Sequence, residues 1–154
     1  MTPIDVGNLF DDALNTFKAF DNLTPENSGQ GQEQFPTSVW QILNHLLKWQ
    51  AGQLHALRGN TAEHPFSEAT TWLSQRAPSS EAVLQEAVAQ FHGQLAAFQT
   101  ELHYMAATEE ADRKLKILQE VVLHLAFHVG EVVLIRRVQG SYPLPDQMQD
   151  FLAS

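Results

Sequence analysis

Leu84, Val88, Phe91, Leu95, Phe98 and Leu102 recur at alternating intervals of four and three, and nothing else in the chain restricts its fold as tightly. That period keeps side chains on one stripe of a 3.6-residue helix; a strand, whose faces alternate every two residues, cannot serve it. An apolar stripe must be covered, so further amphipathic helices are required. The chain offers three. Thr2 as N-cap, Pro3 at the first helical position and Asp5 in the first turn open one whose stripe is Val6, Phe10, Ala13, Phe17 and Phe20, ending near Asp21. Ser38 with Gln41 forms a capping box ahead of Val39, Trp40, Ile42, Leu43, Leu46, Leu47, Trp49, Leu54 and Leu57, and Gly59-Asn60 stops that helix. Its first half is apolar nearly all round and must be buried on several sides. Ser79 or Ser80, with Glu81, starts the Leu84 helix. Thr108, Glu109, Glu110 and Asp112 open the last one, which runs through the apolar residues 115–138 to Arg136, Arg137, Gly140 and Pro143.

Between these segments lie two long connections. Residues 23–36 mix two prolines and two glycines with polar side chains and show no period, which reads as a long, mobile loop. Residues 60–78 form the other, within which residues 67–75 admit a short helix, and its length permits a crossover between non-adjacent helices. Phe151 and Leu152 suit a tail that docks as a short cover. Four stripes, no alternating run and no hairpin signal predict an all-α antiparallel four-helix bundle, one domain over residues 1–154, with the long crossover between helices 2 and 3.

Charge and composition remove several classes of function. Nine Lys and Arg stand against eighteen Asp and Glu, a formal charge of −9, so the chain repels phosphate backbones; Arg136-Arg137 is an adjacent basic pair that could seed a patch. Nucleic acid is not an expected partner. No apolar run approaches the roughly 18–20 residues of a membrane span, and the N-terminus lacks the basic and apolar regions of a secretory signal. With no cysteine to pair, the expected location is the cytoplasm, without membrane contact. Glycine-rich phosphate loops, Gly-x-Ser-x-Gly elbows and His-Glu-x-x-His motifs are missing too. Without thiolates, any metal site must be built from histidine and carboxylate, and there are seven histidines.

His124 and His128 stand four apart, which on a helix means about 40° of azimuth and about 6 Å of rise. Spacing alone is weak; placement adds weight. The stripe of the last helix runs Ile117, Val121, His124, His128, Val132, Ile135, so both rings replace apolar residues mid-face. Burying two imidazoles costs free energy unless each finds a partner, and one shared metal satisfies both. His45 likewise interrupts the buried half of the second helix, which a bundle can bring beside the fourth. Three neutral imidazoles leave coordination positions open, the layout of a catalytic rather than a closed site. The structural alternative is that each ring hydrogen-bonds to a carbonyl or carboxylate at a helix contact. Glu131 has two functional readings, a carboxylate orienting a ligand or a general base, beside the plainer one of a helix carboxylate near Arg136 or Arg137. Glu120 could orient His124 but suits solvent better. His55, His64, His92 and His103 lack partner spacing, and Trp40, Trp49 and Trp72 suit either a pocket wall or the core.

Taken together, Ser-Val-Trp-Gln-Ile-Leu-Asn-His ending at His45, a long crossover and the late His-x-x-x-His-x-Gly-Glu ending at Glu131 resemble the DinB-like (damage-inducible) four-helix bundles, a superfamily shared with bacterial thiol-dependent S-transferases. The resemblance spans essentially the whole chain. It implies that His45, His124 and His128 ligate a divalent metal ion such as zinc, nickel or iron. It also implies a small-molecule substrate, a low-molecular-weight thiol in some members and hydrolysis in others, and a homodimer, for which the apolar surplus on the second helix would serve. An acidic thiol cofactor would want basic neighbours, and Lys48, Arg58 and Arg76 are the few candidates. Two readings stay open: a metal-dependent enzyme, with Glu131 assisting, and a non-catalytic bundle held by a metal or by a histidine–carboxylate network.

Overall fold

The computed structural model describes residues 12–29, 33–59, 67–105 and 110–154. Its elements are α1 (Pro25–Ser28), α2 (Val39–Leu57), α3 (Glu81–Met105), α4 (Ala111–Val138) and α5 (Met148–Ala153), with single 3-10 turns at Glu68–Thr70 and Pro145–Gln147. No strand occurs among the described residues, and the molecule is an all-α bundle.

Local chemistry sets the helix ends as expected. Ser38 Oγ accepts the Gln41 N–H at 3.2 Å while Gln41 Oε1 accepts the Ser38 N–H at 3.1 Å, closing the capping box of α2. Past its far end Gly59 takes φ +85°, a conformation that other residues adopt at a cost. Ser80 Oγ accepts the Val83 N–H at the start of α3. Thr108 and Glu109 lie outside the described residues; the N-cap position of α4 is Glu110.

α2 is the central helix, packed against both α3 and α4. Eleven of its nineteen residues are buried, and none of its large apolar side chains is among the exposed ones. Its apolar surplus is therefore consumed inside the bundle and does not form an outer face. Leu84, Phe91, Leu95, Phe98 and Leu102 of α3 and Leu118, Val121, Leu125, Val132 and Ile135 of α4 complete the core. Polar ties fix the packing: Gln94 Nε2 donates to Leu47 O at 2.9 Å, and Arg113 Nη1 to Ala56 O at 2.8 Å. Against the expectation from the sequence, α4 is long and apolar enough by length and composition to cross a membrane; 33% of its most apolar window is buried, and the helix packs on α2 and α3.

Two connections differ from expectation. The first half of the first predicted helix lies outside the described residues, and where that stretch is described, over residues 12–22, it is a run of turns and irregular backbone in which Phe17, Lys18 and Asn22 have φ of 52°, 55° and 54°. Positive φ at Phe17 and Lys18 is incompatible with a continuing right-handed helix. Arg136 donates to the carbonyls of Ala19 and Asp21, and Tyr142 Oη to that of Phe17, so these turns are bonded to a distant part of the chain. Phe20 and Leu14 remain buried, but Phe17 is exposed. The 23–36 connection, expected to be irregular, holds α1, capped by Thr24 and Asn27. The described part of the crossover carries only the 3-10 turn and lies along α2: Ser38 Oγ donates to Arg76 O, Gln41 Nε2 to Leu73 O, and His45 meets Thr71. Residues 38, 41 and 45 share one face of α2, so the crossover runs antiparallel to it. Phe151 of α5 packs against Tyr142 at 5.3 Å between ring centroids, and the Lys18 ammonium lies over its ring.

Candidate metal centre

His45 is seven residues into α2 and fully buried; His124 and His128 lie mid-way along α4, half-buried and buried. The packing of α2 on α4 brings the three together. Nε2 of His124 stands 3.0 Å from Nε2 of His45 and 3.2 Å from Nε2 of His128. All three ligand atoms fall within 4.8 Å of one another. Ligands about 2.0–2.1 Å from a tetrahedral ion are about 3.3 Å apart, so the cluster has the scale of a coordination shell.

The outer ring nitrogens decide the tautomers. Thr71 Oγ1 spends its hydrogen on Glu68 O at 2.5 Å, so at 2.6 Å from His45 Nδ1 it acts as acceptor, and His45 carries its proton on Nδ1. Glu131 Oε2 accepts from His128 Nδ1 at 2.6 Å. Both rings thus turn a lone pair on Nε2 inward. In the metal-free network only a proton on His124 Nε2 can then bridge the three nitrogens. His124 Nδ1 is buried with no hydrogen-bond partner among the described residues. A cation at the convergence point would take that proton's place and move the His124 hydrogen to Nδ1. The donor set therefore fits a divalent ion: three imidazoles with converging Nε2 atoms, two of them held by partners on Nδ1.

Aromatic rings hold the imidazoles edge and face. Trp72 stacks on His45 at 4.0 Å and 6°, and Trp49 on His124 at 4.0 Å and 30°; Phe127 meets His128 edge-on at 5.0 Å. Both tryptophans are half-buried. Burial, with the neighbouring His128, lowers His45 to about 4, and burial, with His128 and His45, does the same to His124, so both are neutral ligands at neutral pH.

Each sequence candidate now has a place. His45, His124 and His128 converge, and Glu131 touches His128 on the side away from the cluster. Arg136 and Arg137 do not pair with Glu131 in the described contacts; they hold the carbonyls of residues 19, 21 and 141, and of Pro143. Glu120 is exposed and does not reach His124. His55 and His92 are exposed, His92 standing 3.9 Å from Asp21. His64 and the His103 side chain lie outside what is described. Trp40 is a core residue. Thr71 was not anticipated. It sits in an aperiodic connection 26 residues from its partner, and no sequence pattern marks it.

With this geometry in hand, comparison with known families is decisive: residues 13–132 match the DinB superfamily. The chain belongs to the DinB superfamily. The match covers α2, the crossover, α3 and α4 through Val132, and so contains all three histidines and Glu131 of this DinB protein. No curated protein and no solved structure matches it.

Proposed function

We propose that this DinB protein is a metal-dependent enzyme acting on small molecules, with His45, His124 and His128 holding one divalent ion. The observation that carries the reading is the convergence of three Nε2 atoms, two of them fixed as lone-pair donors by Thr71 and Glu131. When bound, such an ion acidifies a coordinated water or thiol and so supplies a nucleophile at neutral pH. The chain's own part is to orient and to exclude. Thr71 and Glu131 keep the His45 and His128 protons on Nδ1, and Trp72 and Trp49 wall the rings with apolar surface. Glu131 acts through His128 as a positioning residue.

Hydrolysis is favoured over thiol transfer by the placement of the basic residues. Arg58 pairs with Glu101 at 2.8 Å, and Arg76 donates to the carbonyls of Phe35 and Pro36. That leaves Lys48, exposed one turn beyond His45, as a poor reception for an acidic thiol.

Elemental analysis of untagged protein purified without chelator is the test, beside the triple variant His45→Ala, His124→Ala, His128→Ala. About one equivalent of metal is expected in the parent and none in the variant. Thr71→Val and Glu131→Gln should each weaken metal affinity by roughly 10–100-fold in a competition titration. Protein that neither retains nor takes up zinc, nickel or iron would overturn the metal reading. Loaded protein that turns over esters or amides without thiol supports a hydrolase; turnover only with added thiol supports a transferase. Inertness in both assays favours a structural metal.

A further inference from the structure

Two of the three tryptophans are not spent on the core. Trp40 is 5% exposed among the core residues of α2, whereas Trp49 and Trp72 are half-buried and lie against ligand rings. An indole is the largest apolar body a side chain offers, so leaving part of two of them in water beside a polar cluster forgoes stabilisation that the core would supply. They also come from separate elements, Trp49 from α2 one turn beyond His45 and Trp72 from the crossover next to Thr71.

Their placement follows the ligands. Trp72 lies flat on His45, with 4.0 Å between centroids and 6° between planes, and meets His128 edge-on at 5.8 Å and 68°. One ring thus borders two ligands. Trp49 stacks on the third, His124, at 4.0 Å. A molecule that reaches the converging Nε2 atoms from solvent therefore arrives beside indole surface.

Charge narrows the choice of molecule. Cation–ring contacts among the described residues fall on Phe151 and Tyr142, away from both tryptophans. Arg58 is engaged by Glu101, and Arg76 by the carbonyls of Phe35 and Pro36. The Glu131 carboxylate, its side chain 39% exposed, adjoins His128. In a chain of formal charge −9, such a site repels anions.

We propose that the site selects an uncharged aryl carbonyl compound, an aryl ester or amide, whose aromatic ring lies against Trp72 and Trp49 while its oxygen is directed at the ion. This rests on the metal-dependent reading above and adds to it a class of substrate. Trp72 and Trp49 are the specificity-determining residues: ring against ring favours an aromatic group by roughly 2- to 12-fold per pair beyond the area it buries.

Hydroxamic acids carry one metal-chelating group on interchangeable bodies, so they separate the ion from its walls. The probes are acetohydroxamic, cyclohexanecarbohydroxamic, benzohydroxamic and para-carboxybenzohydroxamic acids. Each is titrated calorimetrically into full-length protein reconstituted with the divalent ion it takes up. Benzohydroxamic acid should bind at least about fivefold more tightly than its cyclohexane counterpart, and more tightly than the para-carboxylate. Trp72→Leu, which keeps an apolar side chain beside His45, should abolish the aromatic preference, and Trp72→Phe should retain most of it. Elemental analysis and circular dichroism show whether each variant is loaded and folded; if Trp72→Leu is not, Trp49→Leu serves the same comparison. Binding of acetohydroxamic acid with no aromatic preference, or a preference that survives both leucine variants, overturns the aryl site and leaves the metal-dependent reading standing. Equal affinity for the para-carboxylate overturns the requirement for an uncharged ring. Loaded protein that binds none of the four has a closed coordination shell, and the enzymatic reading then falls together with this inference.

Discussion

A neutral imidazole has one hydrogen to give, and where it goes decides what the ring can bind. His45 gives its hydrogen to Thr71 and His128 to Glu131, which leaves both inner nitrogens free to ligate. The same environment makes the metal-free protein sensitive to acid. Above the ordinary histidine value of 6.5, His45 and His124 are neutral whether the chain is folded or not. As pH falls from 6.5 to about 4 the unfolded chain takes up protons that the native state resists, so stability is lost through that window and levels off below it. Urea midpoints of metal-free protein should decline across this range, and a His45→Ala, His124→Ala variant should decline less. An equal decline in both would mean that other groups carry the dependence. The three histidines were legible beforehand because each breaks an apolar stripe where a polar ring is costly. Thr71 was not, since its role depends on a tertiary approach that leaves no local period.

At the scale of the element, the crossover is held against α2 by a ladder of side chains, and its fit depends on one glycine. A Cβ at Gly29 would stand 2.3 Å from Arg76 O and 2.6 Å from the Ala77 Cα, both backbone atoms that cannot swing aside. Gly29→Ala should therefore cost about 1–3 kcal/mol in denaturant unfolding, and by loosening residues 71–77 it should weaken metal binding as well. Unchanged stability would show that the two connections yield to each other. The helices themselves were readable from caps and stripes: Ser38 with Gln41, Ser80, and the Leu84 to Leu102 series all stand where their chemistry puts them. The stretch from Ala13 to Phe20 has the same period and yet forms turns where it is described. A period shows that a helix could bury a face; it does not show that the backbone takes helical dihedrals, and Phe17, Lys18 and Asn22, with φ of 52°, 55° and 54°, do not. Arg136 and Tyr142, more than a hundred residues later, bond the carbonyls of these turns.

For the molecule as a whole, α4 is the member to which other parts are tied. Near its start Arg113 reaches the end of α2, its middle carries two ligands, and near its end the buried Arg136 gathers residues 19, 21 and 141. That guanidinium, 3% exposed, has carbonyl oxygens and no carboxylate as its partners in these bonds, and its position in the last turn suits the helix dipole. Arg136→Met would leave three carbonyls without these donors and should destabilise the protein by about 2–4 kcal/mol. Arg136→Lys should recover only part, because an ammonium lacks the planar fork that spans all three. Full recovery by lysine would reduce the site to a matter of charge. The two half-buried tryptophans carry a separate consequence. Trp72 and Trp49 lie 4.0 Å from the faces of two ligand rings, whereas Trp40 sits in the core. Their excited states are close enough to lose energy to whatever the imidazoles hold, so ultraviolet emission from the unlabelled chain reports occupancy directly: dimmed by an open-shell ion such as nickel, little changed by closed-shell zinc.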